Sequence, residues 1–324
     1  IIPGVTKDAV FRKGHIIREE DIPVLLSVGK DSVYIWENDE TMMHENDAAE
    51  VLYRMTANEH MHPSDVKEGK IEAIADTEGL LKVDREKLKK VNAFGEMMIA
   101  TRHGNTVVKN GDKLAGTRII PLVIKKDKMQ EAEKICDGTP ILKILPFTVK
   151  KAAIITTGNE VYHGRIKDAF TPVIEQKIAE FGAEMMFHEI FDDNDRKITD
   201  GCLRAIEAGA DIVFCTGGMS VDPDDKTPLA IKNTGAEMIS YGSPVLPGAM
   251  FLLSYYRKGD KVIPICGLPG CAMYNRRTIF DLVLPRLMAA DPVTADELAS
   301  LGEGGLCLNC KVCTFPNCGF GKGW

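Results

Sequence analysis

Beyond Lys150 the chain alternates short apolar runs with amphipathic segments. Runs rich in β-branched residues predict strands at 152–156, 185–190, 212–215 and 262–266. Apolar residues at helical spacing predict helices at 171–181, 195–206 and about 272–288. Strands that alternate with helices in this way predict parallel βαβ units, and therefore a three-layer α/β fold with a mostly parallel, doubly wound sheet.

The pattern before Lys150 is mixed and short in period. It predicts helices at 48–55 and 84–91, the second capped by Asp84, and strands at 71–75, 97–100, 106–109 and 118–124. Turn signals such as Asn110-Gly111 separate them. We expect a small α+β region or partial barrel at 1–150, an α/β domain at 151–292 and a cysteine-rich tail at 293–324.

Composition narrows the class of protein. A length of 324 residues suits two or three domains, and a net charge of −7 argues against nucleic acid as a partner. No apolar run reaches the ~18 residues that a membrane span needs. The uneven cysteines are typical of a cytoplasmic protein with one metal or redox site. Because the chain begins with Ile1 and not Met, its true N-terminus stays open.

Three loops follow predicted strands, at 157–160, 216–228 and 267–270, and should meet at one edge of the sheet. In the second, Gly217 and Gly218 let the backbone approach a ligand, and their N–H groups can bind an anion. A helix predicted to start at Thr227-Pro228 adds its dipole. Asp222, Asp224 and Asp225 accept hydrogen bonds from a base or pterin, or hold Mg²⁺. The alternative is a plain strand-to-helix turn with solvated acids.

Five segments of this region stand in a recognisable order. They are Thr157-Gly158-Asn159-Glu160; Gly164-Arg165-Ile166-Lys167-Asp168; Phe191-Asp192-Asp193; Thr216-Gly217-Gly218 with Asp225 and Thr227-Pro228; and Leu246-Pro247-Gly248 followed by Gly267-Leu268-Pro269-Gly270. In their order and spacing, residues 152–288 resemble the molybdopterin-binding domain of molybdopterin molybdotransferases and molybdopterin adenylyltransferases. Residues 11–26 weakly resemble a segment of the molybdotransferases.

The resemblance implies roles for individual residues. The terminal phosphate of the pterin would be held by Gly217, Gly218 and Ser220. Asp225 would contact the ligand on its pterin side. Metal or nucleotide chemistry would take place in the cleft faced by Glu160, Asp192 and Asp193. The remaining members of the implied binding set are Thr157, Gly158, Asp168, Thr216, Thr227, Pro269 and Gly270.

Several positions depart from the family pattern. Asn159 replaces the usual Asp, and Ala169-Phe170 follow Asp168 where the family has Ser-Asn. Ala249 and Met250 stand where molybdotransferases carry a cation, a loss of about 1.5–3 kcal/mol of charge-assisted contact. This loss favours binding or a specialised transfer. Cys271 replaces an Asn, and is either a small buried residue or a thiolate whose pKa a helix N-terminus lowers.

The tail has the spacing Cys307-x-x-Cys310-x-x-Cys313-x-x-x-x-Cys318. The first three cysteines match a ferredoxin-like run, whereas the last gap is one residue longer. Four thiolates this close predict a metal site, with a single [4Fe–4S] centre slightly favoured over Zn²⁺. The alternative is a disordered tail with free thiols. His60 and His62 have metal-like spacing, but solvated loop histidines are the favoured interpretation.

The leading hypothesis is a molybdopterin-binding protein of molybdenum cofactor biosynthesis or delivery. As a transferase it would use Mg²⁺, held by Glu160 and Asp225, to position molybdate or an adenylyl group. As a carrier or sensor it would only bind the pterin. A different class, a nucleotide-processing enzyme on the same scaffold, stays open. Family analogy further suggests a homo-oligomer, dimeric or trimeric, and the cysteine tail suggests a molybdoenzyme partner.

Overall fold

The computed structural model describes residues 11, 15–33, 39–220 and 222–323. The chain divides into two compact units, 1–42 and 43–324. In the first unit a 3-10 turn at Glu19–Asp21 leads into helix α1, Ile22–Ser27, which has Pro23 in its first turn. None of the helices in the described ranges is long and apolar enough to cross a membrane.

The region up to residue 145 is α+β, as the sequence predicts. Its elements are β1 Met42–His44, α2 Glu45–Thr56, β2 Met61–Pro63, β3 Lys70–Ala75, β4 Gly79–Val83, α3 Arg85–Asn92, β5 Met97–Thr101, β6 Thr106–Val108, β7 Lys113–Ile119, β8 Val123–Lys125, α4 Lys126–Cys136 and β9 Leu142–Leu145. They form sheets in the orders β2-β3-β7-β5, β6-β4-β9 and β1-β8. The Asp84 side chain accepts from the amide of Lys87 and caps α3, as predicted.

Two predictions in this region are wrong in detail. The strand predicted at 118–124 is the end of β7 and the start of β8, with a turn between them. The sequence interpretation missed α4, because only Met129, Ala132 and Cys136 of its residues are buried. Three apolar positions among many charges are a weak helical signal.

The second region is the predicted α/β domain. Its elements are β10 Lys151–Thr157, α5 Asn159–Tyr162, α6 Phe170–Ala179, β11 Glu184–Phe191, α7 Asp195–Glu207, β12 Ile212–Thr216, α8 Thr227–Asn233, β13 Glu237–Tyr241, β14 Leu252–Lys258, β15 Lys261–Leu268, a 3-10 turn Gly270–Met273, α9 Ile279–Met288 and α10 Ala295–Ser300. One sheet has the order β11-β10-β12-β15-β14-β13. The first four strands are parallel, and β14 and β13 are antiparallel additions at one edge.

Buried side chains follow this division. One cluster lies within residues 48–144, and two others lie within residues 149–320. The two latter clusters share the strands of the six-stranded sheet, one with α6 and α9 and the other with α7 and α8. The boundary between the cores therefore lies close to residue 150, where the sequence predicts a domain boundary. That domain boundary stays a prediction.

Two of the three helix starts differ from the predicted ones. Helix α6 begins at Phe170, one residue before the predicted start, and the Asp168 carboxylate accepts from its first amides. Helix α7 begins at Asp195, as predicted, and the Asn194 side chain caps it. The helix predicted at 272–288 is a 3-10 turn followed by α9, which Thr278 caps. In each case a polar side chain one to three residues away satisfies the free amides.

Residues 305–323 contain no helix or strand, and the buried residues among them are Gly305, Phe320 and Gly323. Phe320 is only 5% exposed and belongs to a core cluster of the α/β domain. A Cβ on Gly321 would lie 2.3 Å from the Leu282 side chain, and one on Gly323 would lie 2.0 Å from the Glu303 carbonyl. The glycines thus permit close backbone approach. The alternative of a disordered tail is not what the structure shows.

Candidate functional site

The three predicted loops start at one edge of the sheet. Strands β10, β12 and β15 are parallel neighbours, with Thr156 opposite Thr216 and Thr216 opposite Leu268. The chain segments that follow these strands therefore leave the sheet side by side. This is the edge at which open parallel sheets bind ligands.

A sharp bend follows β12 at Gly217 and Gly218, whose φ angles are +82° and +55°. A Cβ on Gly217 would lie 2.1 Å from the carbonyl oxygen of Thr157. Positive φ and this close approach both exclude other residues. We call residues 217–220 the diglycine bend.

Two buried threonines, Thr157 and Thr227, support the bend. The Thr157 hydroxyl donates to the Thr216 carbonyl at 3.1 Å and lies 3.0 Å from the Thr227 hydroxyl. The Thr227 hydroxyl donates to the Gly217 carbonyl at 2.9 Å, and its amide donates to Gly218 at 3.3 Å. The structure thus places Thr157 and Thr227 as supports of the bend. Helix α8 does begin at Thr227, but the amide of Thr227 is already engaged.

The amides of the bend are uncapped. In the described chain, none of the N–H groups of Gly217, Gly218 and Met219 donates to another protein group. The hydroxyl of Thr216 is buried and has no partner among the described residues, and Ser220 is exposed. Free amides with nearby hydroxyls are the donors that a phosphate needs. The residues present therefore fit the phosphate of a pterin.

Tyr241, at the end of β13, anchors the bend from the opposite side. Its hydroxyl donates to the Met219 carbonyl at 3.0 Å. Burial raises the pKa of Tyr241, and the nearby charge of Asp225 adds to the shift. The sequence interpretation missed this residue because it did not predict β13. The residues of this strand, Glu237–Tyr241, do not alternate cleanly between apolar and polar side chains, so the sequence carries only a weak strand signal here.

Four carboxylates converge beside the bend. Burial raises the pKa of Asp193, and the charges of Glu160, Asp225 and Asp224 raise it further, against a hydrogen bond from the Asn159 amide at 3.1 Å. The structure thus brings together three of the predicted catalytic residues. Within the described ranges, no three His, Cys, Asp or Glu side chains are grouped to hold a metal ion. Mg²⁺ commonly uses one or two carboxylates and completes its shell with ligand phosphates and water.

Asp192 and Asp168 are engaged within the protein. Lys197 approaches one Asp192 oxygen at 2.8 Å, while the other oxygen is buried with no partner in the described chain. Burial opposes ionisation of Asp168, but hydrogen bonds from Thr171, Thr156 and the Phe170 amide outweigh it and lower the pKa. Asp168, predicted to bind the cofactor, is thus committed to capping α6.

The third loop packs against the bend. A Cβ on Gly267 would lie 2.5 Å from the Met219 side chain. Pro269 precedes the 3-10 turn that contains Gly270 and Cys271. Burial raises the pKa of Cys271, which is opposite to the lowering expected of a reactive thiolate at a helix N-terminus.

Two cavities in the described part of the chain are lined by residues outside the diglycine bend. One, of about 730 Å³, lies between residues 78–109 and the α9–tail region. The other, of about 560 Å³, is lined by all four tail cysteines. His60 and His62 are exposed, and His62 pairs with Asp76.

Comparison with known families adds two matches. Residues 153–289 match the model described as "Probable molybdopterin binding domain", and residues 1–37 match a domain of unknown function. A "Putative competence-damage inducible protein" of Bacillus cereus (strain B4264) is 30% identical over 129 residues, which are 40% of this chain and 30% of that protein. The protein of the same name from Bacillus subtilis (strain 168) is 32% identical over 85 residues, 26% of this chain and 20% of that one. The matches thus span about a third or less of these relatives' length.

Two solved structures are similar in fold. The tungsten cofactor synthesizing protein MoaB from Pyrococcus furiosus has 18% identity and a TM-score of 0.37, covering 44% of this chain and 98% of that one. The molybdopterin biosynthesis enzyme MoaB from Thermus thermophilus has 19% identity and a TM-score of 0.34, with coverages of 44% and 98%.

Proposed function

Residues 153–289 belong to the molybdopterin-binding domain family, and from this premise we propose that the chain binds molybdopterin through its diglycine bend and acts in molybdenum cofactor biosynthesis or delivery. The uncapped amides of Gly217, Gly218 and Met219 hold the terminal phosphate. The Ser220 hydroxyl adds a further donor.

The observation that carries this proposal is the free donor set at the bend. Main-chain carbonyls of Gly217 and Met219 are taken up by Thr227 and Tyr241, so the bend is held rigid from its carbonyl side. Its amide side is left for a ligand. Pre-organised donors of this kind bind an anion without reordering the chain.

The carboxylates beside the bend make ligand binding depend on a metal ion. Glu160 and Asp225 hold Mg²⁺ together with ligand oxygens, and Asp193 lies next to them. A bound cation would offset the mutual repulsion of these acids. The cation supplies charge neutralisation for an incoming anion such as molybdate or a nucleotide phosphate.

The choice between transferase and carrier depends on the cleft opposite the bend. Ala249 and Met250 supply no cation there, which favours binding or delivery over metal insertion. Activation of an apo-molybdoenzyme that depends on added molybdate would indicate a transferase. Activation by the pterin-loaded protein without added molybdate would indicate delivery.

Calorimetry tests the binding step directly. Molybdopterin, handled anaerobically, and ATP are titrated into the full chain with and without Mg²⁺. We expect molybdopterin to bind at least tenfold more tightly than ATP. Ser220→Ala should weaken molybdopterin binding about fivefold, since one hydrogen bond is worth about 1 kcal/mol. Asp225→Asn should remove the Mg²⁺ effect.

The exposed acid Asp260, in the β14–β15 turn, provides the matched control. Asp260→Asn should leave both affinities unchanged. Tighter binding of ATP than of molybdopterin would instead favour the nucleotide-processing alternative and contradict the proposal.

A further inference from the structure

A cavity of about 560 Å³ lies between the tail and the segment that follows the 3-10 turn at Gly270–Met273. All four tail cysteines line it, together with residues 274–277. Cys307 and Cys318 are half-buried against the core, while Cys310 and Cys313 are exposed at its outer side. All four cysteines therefore border one cavity.

Protein contacts alone build the walls of this cavity. The Cys307 amide donates to the Leu246 carbonyl, and the Leu246 amide donates to Gly305, both at 2.8 Å. The Arg277 guanidinium stacks 4.9 Å from the centre of the Phe315 ring. Arg276 donates to the Lys311 carbonyl at 3.4 Å. These contacts hold in place the loop that carries the cysteines.

The charge around the cavity suits an anionic centre. Arg276, Arg277 and Lys311 all line it, and Arg277 also interacts with the Cys313 thiol. Four thiolates bring four negative charges to one place. Nearby guanidinium groups offset this charge and donate hydrogen bonds to sulfur.

The arrangement separates the two metal classes that the cysteine spacing leaves open. A structural zinc ion draws four sulfurs to about 2.3 Å from one point and leaves no room between them. In an iron–sulfur cluster, each thiolate binds a different iron at the periphery of the cluster. Thiols around an open cavity match that requirement.

We propose that Cys307, Cys310, Cys313 and Cys318 hold one [4Fe–4S] cluster in this cavity. The cluster does not depend on the function proposed for the diglycine bend. It lies near the same sheet edge, because the tail is bonded to Leu246, and the segment 242–251 that contains Leu246 begins next to Tyr241, which anchors the bend.

The full chain, purified without oxygen, provides the test. We expect about four iron and four acid-labile sulfide per chain, a broad visible absorption, and an electron paramagnetic resonance signal after reduction with dithionite. Chain from an aerobic preparation should regain all three after incubation with ferrous iron, sulfide and a thiol reductant.

Single substitutions locate the ligands. Cys310→Ser and Cys313→Ser change exposed side chains, so both variants should fold, as circular dichroism would verify. Each should lose at least half of the bound iron. Cys271→Ser, close to the cavity but not lining it, is the matched control and should keep full iron content.

Stoichiometric zinc without sulfide would overturn the cluster in favour of a zinc site. Full iron content in both tail variants would also overturn it, as would a folded chain that stays metal-free after reconstitution. Loss of pterin binding with an intact cluster, or the reverse, distinguishes the failure of one proposal from the failure of the other.

Discussion

Gly217 shows how a single residue decides the shape of the candidate site. Its positive φ turns the chain directly after a buried strand, and its missing Cβ lets the bend lie against Thr157. Gly235 has nearly the same φ, +84°, but nothing lies within 4 Å of the place of its Cβ. The two glycines therefore separate backbone strain from steric overlap.

We predict that Gly217→Ala destabilises the fold by about 3 kcal/mol or more and abolishes phosphate binding, because strain and overlap add. Gly235→Ala should cost only about 1 kcal/mol, from strain alone. Urea denaturation of both variants measures the difference. Equal losses would show that the bend relaxes freely around a methyl group.

Asp193 is the residue at which burial and neighbouring acids most affect the site. Its folded pKa is raised above the ordinary 3.8. Protonated Asp193 therefore stabilises the folded protein below pH 3.8. This stabilisation is lost as the pH rises through the pKa of the folded protein. At neutral pH the ionised Asp193 therefore destabilises the fold in the absence of a cation.

We predict that Asp193→Asn raises the melting temperature at pH 7 in EDTA by about 1–2 °C, a small effect because the group is largely solvent-screened. The Asn side-chain oxygen can still accept from the Asn159 amide. The difference should vanish near pH 3. Differential scanning calorimetry at pH 7 and pH 3 measures the two melting temperatures. An equal rise in melting temperature at pH 3 would rule out an electrostatic cause.

At the scale of elements, the tail is the most informative segment. It has no secondary structure, yet it supplies Phe320 to the core and lies against α9 through Gly321. Periodicity cannot reveal such a segment, because its burial follows neither a helical nor a strand repeat. Helix α4 was not predicted for a different reason, because its three buried positions stand among many charged residues. The strongly apolar β10, β12 and β15 were predicted.

We predict that Phe320→Ala costs about 3 kcal/mol of unfolding free energy, since a large buried side chain leaves a cavity. Leu308, in the same tail, is 78% exposed. Leu308→Ala should cost less than about 0.5 kcal/mol. Equilibrium denaturation in urea compares them, and a negligible effect at Phe320 would mean that the tail is not part of the folded unit.

At the scale of the whole unit from residue 43 onward, a buried ion network joins regions with separate cores. Arg286, 6% exposed, donates to Asp291 at 2.5 Å and to Glu297 at 2.8 Å. Lys82 of β4 also donates to Asp291, at 2.8 Å. Burial opposes ionisation of both acids, but hydrogen bonds from Lys82 and Arg286 lower the pKa of Asp291, and those from Thr294 and Arg286 lower that of Glu297.

We predict that Arg286→Met destabilises the fold at pH 7 by about 3–5 kcal/mol, because two partly buried carboxylates lose their partner. Because folding lowers the pKa values of Asp291 and Glu297, their interaction with Arg286 stabilises the fold above the ordinary pKa values of 3.8 and 4.5. This stability is lost as the pH falls through the pKa values of the folded protein. The difference in unfolding free energy between Arg286→Met and the parent protein should therefore decrease as the pH is lowered.

Arg257 forms an exposed pair with Glu237 and is the control for this substitution. Arg257→Met should cost no more than about 0.5 kcal/mol at either pH. Guanidinium denaturation at pH 7 and at about pH 3 measures the unfolding free energy of the parent protein and of both variants. If the loss of unfolding free energy in Arg286→Met does not depend on pH, the cause is lost packing of the side chain and not lost ion pairs.

The sequence by itself determined the α/β class, the positions of the parallel strands along the chain and the loops that meet at one sheet edge. These features follow from local apolar runs and from glycines that no other residue can replace. Only the tertiary structure decided which side chains serve the site. It placed Thr157 and Thr227 beneath the bend, committed Asp168 to α6 and brought Tyr241 from an unpredicted strand. The physical reason is that hydrogen-bond partners and burial depend on contacts between residues far apart in the chain, which local periodicity does not record.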